Sequence, residues 1–441
     1  MTEGAKATPE VFESAQVCAA CHDEIYRQWR SSVMSRSWDD PIYRGLLKMA
    51  SEATDGALDN FCTGCHTPIG LTTGQVTAQG NRTLPEEEGD APLPGVDCEA
   101  CHNMSGHSGM DNGAYILAID TNGRPTKLGP RRDAVSPYHE TAFSRFHTES
   151  RFCGTCHNVT HPFNSTPIER TYDEWQESPY SQAEVQCQDC HMPTYAGKAA
   201  IMGKTRQDIR SHYFTGGNVT LLEYFGETEA AERARQLLRR AGDIEILDPP
   251  AVLERGQQAT VRVRVSNTGA GHKLPTGFPE GRELWIDFKV SDADGEILYR
   301  LGRVEKGMTE PGTRSFKVHL GDRDGQEVLV EVWRVARILR DNRILPGGYE
   351  EVEFRFTIPQ DAKGPLHVSA DLNYWPFPQA LVDRILGRER LKVEITRVDS
   401  ANVDVALRTQ GLAPVWGPAG RLEGVESRRM GRTGERGLAL R

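Results

Sequence analysis

The sequence predicts two differently built halves: a mainly helical and irregular domain, then an antiparallel immunoglobulin-like β-sandwich. Two observations carry this. All ten cysteines of the 441-residue chain fall before residue 192, in a stretch with little strand alternation. Past Pro250 the apolar residues recur with a period of two, the signature of half-buried strands. The implied boundaries are 1–245, 246–400 and a Gly- and Arg-rich tail over 401–441, expected to be extended or disordered.

The first half is organised by a repeated unit. Cys18, Cys21 and His22, then Cys62, Cys65 and His66, Cys98, Cys101 and His102, Cys153, Cys156 and His157, and Cys187, Cys190 and His191 form five Cys-x-x-Cys-His motifs with no cysteine left over. This spacing is that of c-type haem attachment, with two thioethers fixing the porphyrin and the histidine taking one axial position on the iron. Structural zinc needs four ligands per metal, and five pairs give an odd number of half-sites. Disulfides across i,i+3 are strained and have no use for the histidines. The first half is therefore expected to be a multihaem domain carrying five covalently bound haem c groups.

Between the motifs, short helices are expected over Asp23–Trp38 and Pro137–Phe152. A longer amphipathic helix is expected over Leu221–Ala241, where Phe225, Ala230, Ala234, Leu237, Leu238 and Ala241 share a face. Asp248-Pro249-Pro250 then marks a linker. Beyond it, strands are read at Val261–Val265, Leu284–Val290, Val328–Val332, Val352–Phe356 and Leu366–Leu372, with Asp292-Ala293-Asp294-Gly295 as a turn.

Eight histidines lie outside the motifs and can supply second axial ligands. His319 and His367 alternate out of apolar strand faces and read as surface residues. His107 follows its own motif by five residues. His139 and His147 would share one helical face with Phe143. His212 follows the last motif, and His272 lies in a glycine-flanked loop that could lower it onto a cofactor at the junction of the halves. His161 is a reserve candidate. Met34 contends with His272 for the fifth distal position, and a thioether there would raise that haem's potential.

Composition sets the class of partner. A formal net charge of −10, before haem propionates, argues against nucleic acid and is compatible with docking to basic redox proteins or a membrane-bound electron-transfer complex. No stretch approaches the roughly 20 apolar residues of a membrane span. Haem attachment takes place outside the cytoplasmic membrane, so a periplasmic or extracellular location is expected, although Met1–Lys6 lacks a signal-peptide pattern.

These residues resemble the multihaem cytochromes of the c-552/c-554 type, some with a C-terminal β-domain carrying a Gly-His-x-x-Pro-Thr-Gly loop. Trp29 and Ser32 match the family's Trp-x-x-Ser-x-His element, but Met34 stands at its histidine. Gly95–His102 with His107, Phe152–Asn158, Cys187–Pro193, Ser211–Phe214 and Asp341–Pro346 are similar to further family segments, and the likeness extends to about residue 395. It implies electron transfer. A haem-based reductase or oxidase of a small nitrogen or sulfur compound, and a structural subunit of a redox complex or cytochrome filament, are the alternatives. An oligomer or larger complex is compatible with each.

Overall fold

The computed structural model describes residues 7–76, 95–119, 124–278 and 281–408. The first half consists of short helices and two-stranded ribbons wrapped around the cysteine motifs. The helix Pro41–Thr54 illustrates the local logic. Proline opens it, the Asp40 carboxylate accepts from the Ile42 and Tyr43 amides, and Asp55 closes it in the left-handed region at φ 51°. Its buried face, Ile42, Tyr43, Leu47 and Ala50, packs inward.

Three expected helices are corrected. The segment Asp23–Trp38 is helical only over Asp23–Arg30, with a 3-10 turn at Met34–Arg36. Ser31 Oγ donates to the Gln28 carbonyl and Ser32 Oγ accepts from the Ser35 amide, so serines draw the backbone out of helix. The segment Pro137–Phe152 is a strand, Glu140–Phe143, paired in parallel with Thr126–Gly129, followed by a 3-10 turn at Arg145–Thr148. Ser136 Oγ caps the Tyr138 and His139 amides and starts that extended run. The segment Leu221–Ala241 is two helices, Val219–Tyr224 and Thr228–Ala241, separated at Gly226, whose φ of 77° no helix accommodates.

Strand pairing in the second half begins at Asp243. One sheet runs Val252–Glu254, Thr396–Arg408, Leu366–Trp375, Glu283–Ser291, Ile297–Leu301, with Arg314–Phe316 also on Glu283–Ser291. A second runs Tyr349–Thr357, Gln258–Ser266, Asp243–Leu247. Val261, Val263, Leu284, Ile286, Phe288, Phe354, Val368 and Leu372 point between them, as the alternation requires. Val252–Glu254 pairs with Thr396–Arg408 in parallel, so the antiparallel immunoglobulin-like sandwich gives way to a β-rich region with a mixed, curled sheet. The expected strand at Val328–Val332 shrinks to Glu327–Val328, and Val332–Arg334 is a 3-10 turn. Residues 401–408 of the expected tail complete the last strand, and 409–441 lie outside the described residues.

The two halves share a core. Tyr213, Val219, Leu222, Ala230, Ala234 and Leu238 enter the apolar cluster of the sheets, and Ile42 and Leu221 join Trp285, Trp375 and Val382 in another. Phe288 stacks on Phe354 at 4.1 Å with planes 6° apart and is fully buried. Phe288→Ala is expected to destabilise the β-rich half by about 3–5 kcal/mol through the cavity it leaves, checked as a lowered urea midpoint of the strand signal in circular dichroism.

Candidate haem centres

Each motif folds as one helical turn. The His22 amide bonds the Cys18 carbonyl and the His157 amide the Cys153 carbonyl, both at 2.9 Å, while Cys98–His102 and Cys187–His191 are complete helical turns. Helical spacing puts cysteines three apart and the following histidine on one side of the backbone. The Asp97 carboxylate caps the third motif, and a capping box of Gln186 and Asp189 starts the fifth. No two of the ten cysteines are joined as a disulfide.

The motifs lie against one another out of sequence order. Thiols lie near enough to interact between Cys18 and Cys98, between Cys65 and Cys156, and between Cys153 and Cys187. Cys101 is close enough to Cys156 and Cys153 for their charges to interact. The fourth motif thus adjoins the second, third and fifth, and the first adjoins the third.

Three motif histidines face a second imidazole. His22 and His139 have ring centres 6.4 Å apart with planes at 27°, His102 and His147 5.9 Å at 21°, and His191 and His272 6.3 Å at 15°. A metal–nitrogen bond of about 2 Å, plus the distance from ring nitrogen to ring centre, places two imidazoles on one metal at about 6 Å. These gaps therefore fit an iron between each pair. Among the described residues no three His, Cys, Asp or Glu side chains converge as a zinc site would require.

Ring orientation is fixed by the backbone. Nδ1 of His22, His66, His102 and His191 faces the carbonyls of Ala199, Ser37, Leu128 and Thr215 at 2.6, 3.1, 2.7 and 2.6 Å. Nδ1 of His139, His212 and His272 meets the carbonyls of Glu140, Arg210 and Lys273, each at 2.9 Å. Donating Nδ1–H to a carbonyl leaves Nε2 as the free lone pair, the tautomer a metal needs. His147 is inverted: Nε2 lies 3.0 Å from the Cys101 carbonyl, and Nδ1 is buried without a partner. Burial pushes His66, His147, His212 and His272 down to about 4, and lowers His102 and His191. They are held neutral, as ligation requires.

His157 differs. Its Nδ1 faces the Glu169 carboxylate at 3.9 Å, and the Glu169 side chain is only 17% exposed. The surrounding protein disfavours the His157 cation, but Glu169, aided by Cys156 and Cys187, outweighs it and raises the imidazole to about 9.

The other candidates are placed as follows. His107 packs beside Phe146, ring centres 5.5 Å apart, with Nδ1 buried and unpartnered. His212 lies near enough to His102 and His22 to feel their charges, and its amide donates to Gln28 Oε1. Met34 is half-buried in a 3-10 turn, and its carbonyl accepts from the Val96 amide. His161 has one ring nitrogen on the Trp333 carbonyl and the other on the Phe163 amide, so it ties loops together. His319 pairs with Glu327 and His367 with Asp404 at the surface of strands. His139 lies opposite the histidine of the first motif and His147 opposite that of the third, rather than on one helical face.

Sequence reasoning missed Glu169, the carbonyl acceptors, and Tyr43, whose ring lies flat on His66 at 3.6 Å and 2°. None has a motif; each meets its histidine only through the fold.

The loop bearing His272 is anchored by a partly buried polar network. Asn267 Nδ2 donates to the His272 carbonyl at 2.8 Å. Lys273 and Arg343 both pair with Asp341, at 2.7 and 2.9 Å, and Arg343 pairs with Glu174 at 2.8 Å. Thr276 Oγ1 donates to Glu174, Thr171 Oγ1 donates to Glu169, and the two hydroxyl oxygens lie side by side. Glu174 and Thr171 belong to the first half and His272 to the second, so the network clasps the halves together.

Residues 17–103 match the cytochrome c554 and c-prime family. The fold is similar to that of a penta-heme cytochrome c552 from Thermochromatium tepidum, with 20% identity, 91% of this chain and 99% of that one covered, and a TM-score of 0.61. The CARDB domain of the PF1109 protein from Pyrococcus furiosus matches 38% of this chain and 86% of its own at 13% identity, with a TM-score of 0.17. Spo0M from Bacillus subtilis matches 38% of this chain and 49% of its own at 13% identity, with a TM-score of 0.16; neither likeness bears on the argument. No curated protein matches by sequence. No helix among the described residues is long and apolar enough to cross a membrane. Residues 17–103 thus resemble a cytochrome c554 and c-prime domain, and most of the chain is similar in fold to a penta-heme cytochrome c552.

Proposed function

We propose that this protein carries electrons between redox partners outside the cytoplasmic membrane, with one haem c on each of its five motifs. The observation that carries the reading is the set of three facing imidazole pairs, a ligand arrangement suited to low-spin electron carriage. Bound haem supplies one-electron chemistry at iron. The chain's residues do the rest. The ten cysteines tether, and His22, His66, His102, His157 and His191 ligate on the proximal side. His139, His147 and His272 close the opposite side of the first, third and fifth motifs, with His107 and His212 as further distal candidates. His272, not Met34, stands opposite a motif histidine. Close motif packing suits electron hopping, and the net charge of −10 suits a basic redox protein or a membrane-bound complex as partner.

A second reading, a haem-based reductase or oxidase, draws on one observation: among the described residues His66 and His157 have no imidazole facing them at the spacing of the other three. One experiment separates the two. Intact mass is expected to give five haem adducts, and a redox titration followed by optical and electron paramagnetic resonance spectra is expected to give low-spin centres throughout. A mass other than five adducts overturns the cofactor assignment. A native high-spin band that binds nitrite or carbon monoxide overturns the carrier in favour of the enzyme.

A further inference from the structure

Glu169 sets one motif histidine apart from the other four. His22, His66, His102 and His191 turn Nδ1 to neutral carbonyls, whereas His157 turns it to a carboxylate. That carboxylate is fixed in place. Thr171 Oγ1 donates to it at 3.1 Å, and Thr276 Oγ1 packs 2.8 Å from the Thr171 hydroxyl oxygen. The adjacent cation Arg170 is committed to Asp173, leaving Arg282 as the positive charge that acts on Glu169.

We propose that Glu169 is a positioning and tuning residue for the haem on Cys153 and Cys156, orienting His157 and holding that centre's reduction potential below the value its ligands alone would give. The physical reason is charge. Oxidised iron carries one more positive charge than reduced iron, and a carboxylate behind the ligand stabilises the oxidised form. A carbonyl dipole in the same place does so less. Poor access of solvent to Glu169 limits screening. The inference deepens the carrier reading and rests on its assignment of a haem to the fourth motif, but the potential shift does not require that the protein carry electrons to any particular partner.

The test compares Glu169→Gln, which keeps shape and removes charge, with Thr171→Val, which keeps the charge and removes the hydroxyl that draws on it. Both are measured on the full-length, haem-loaded protein by spectroelectrochemical titration, with intact mass and electron paramagnetic resonance as controls. Glu169→Gln is expected to raise one midpoint by a tenfold change in the redox equilibrium, about 59 mV. Smaller rises, if any, are expected at the other four centres, whose motif histidines face carbonyls instead. Thr171→Val is expected to move the same midpoint the other way, and Glu169→Asp to restore most of the native value. Unchanged midpoints in both variants, equal shifts at all five centres, or shifts of the same sign in the two variants would overturn the proposal. Failure of the carrier reading is seen separately, in the native haem count and spin states.

Discussion

A His272→Ala protein is expected to retain all five haems and to convert one low-spin centre to high spin. The lost imidazole faces His191 at 6.3 Å, and the cysteines that tether that haem, Cys187 and Cys190, are untouched. The haem count by mass should therefore match the native protein while a high-spin band appears and carbon monoxide binds on reduction. His272→Met is the informative companion. It should restore low spin and raise that single centre's potential, because a thioether favours reduced iron relative to an imidazole. A His272→Ala protein with an unaltered spectrum would remove His272 from the ligand set.

Removing Arg343 should cost more stability than removing any exposed charge. Its side chain is 8% exposed and that of its partner Glu174 is 4% exposed, and it also pairs with Asp341. Arg343→Met strands the sequestered Glu174 carboxylate and leaves Asp341 to Lys273 alone, a loss of about 3–5 kcal/mol for a broken buried pair. Exposed pairs such as Arg355 with Glu353 contribute about 0–1 kcal/mol. Because Asp341 and Lys273 hold the loop that carries His272, the same variant should release this ligand during mild denaturation before the strands unfold, seen as an early loss of one low-spin centre. The double variant Arg343→Met with Glu174→Gln should recover part of the loss.

Acid should act on the same clasp. Burial pushes the Asp341 carboxyl up, but the hydrogen bonds and charges of Arg343 and Lys273 outweigh it and hold the group well below the usual carboxylate range. A carboxyl depressed in the folded state binds its proton more readily when unfolded. Its contribution is therefore complete above the unfolded value near ~4 and drains away as pH falls below it. The His272-dependent low-spin signal is expected to be constant from neutral pH down to about 4 and to fall only under stronger acid. A loss between pH 5 and 7 would point to another group.

The helical turn at each Cys-x-x-Cys-His motif was legible because it is local. Two sulfurs and an imidazole must reach one porphyrin from a single helical turn, which fixes their spacing. The alternation of Val261, Val263 and Val265 was legible for the same reason, since one face of one strand suffices. Distal ligands were harder. His139 and His147 were candidates through a helix that does not exist; a strand pairing with Thr126–Gly129 carries the chain to them instead. The parallel contact of Val252–Glu254 with Ala406–Arg408 joins segments some 150 residues apart and leaves no trace in either. Glu169 is twelve residues beyond His157 with nothing around it to mark it, because its meaning comes from the ribbon Val159–Thr160 and Pro167–Glu169 that folds it back.

The contacts between motifs have a consequence for traffic. A row of five centres has two ends and stops if any inner member fails. Here the fourth motif adjoins the second, third and fifth, which makes a fork with three tips. Under the carrier reading, a charge entering at one tip meets a choice of two exits, and several reducing equivalents can wait on separate arms. Such a molecule would behave as a distributor and small capacitor, and its discharge in rapid-mixing experiments should be multiphasic even with a single acceptor.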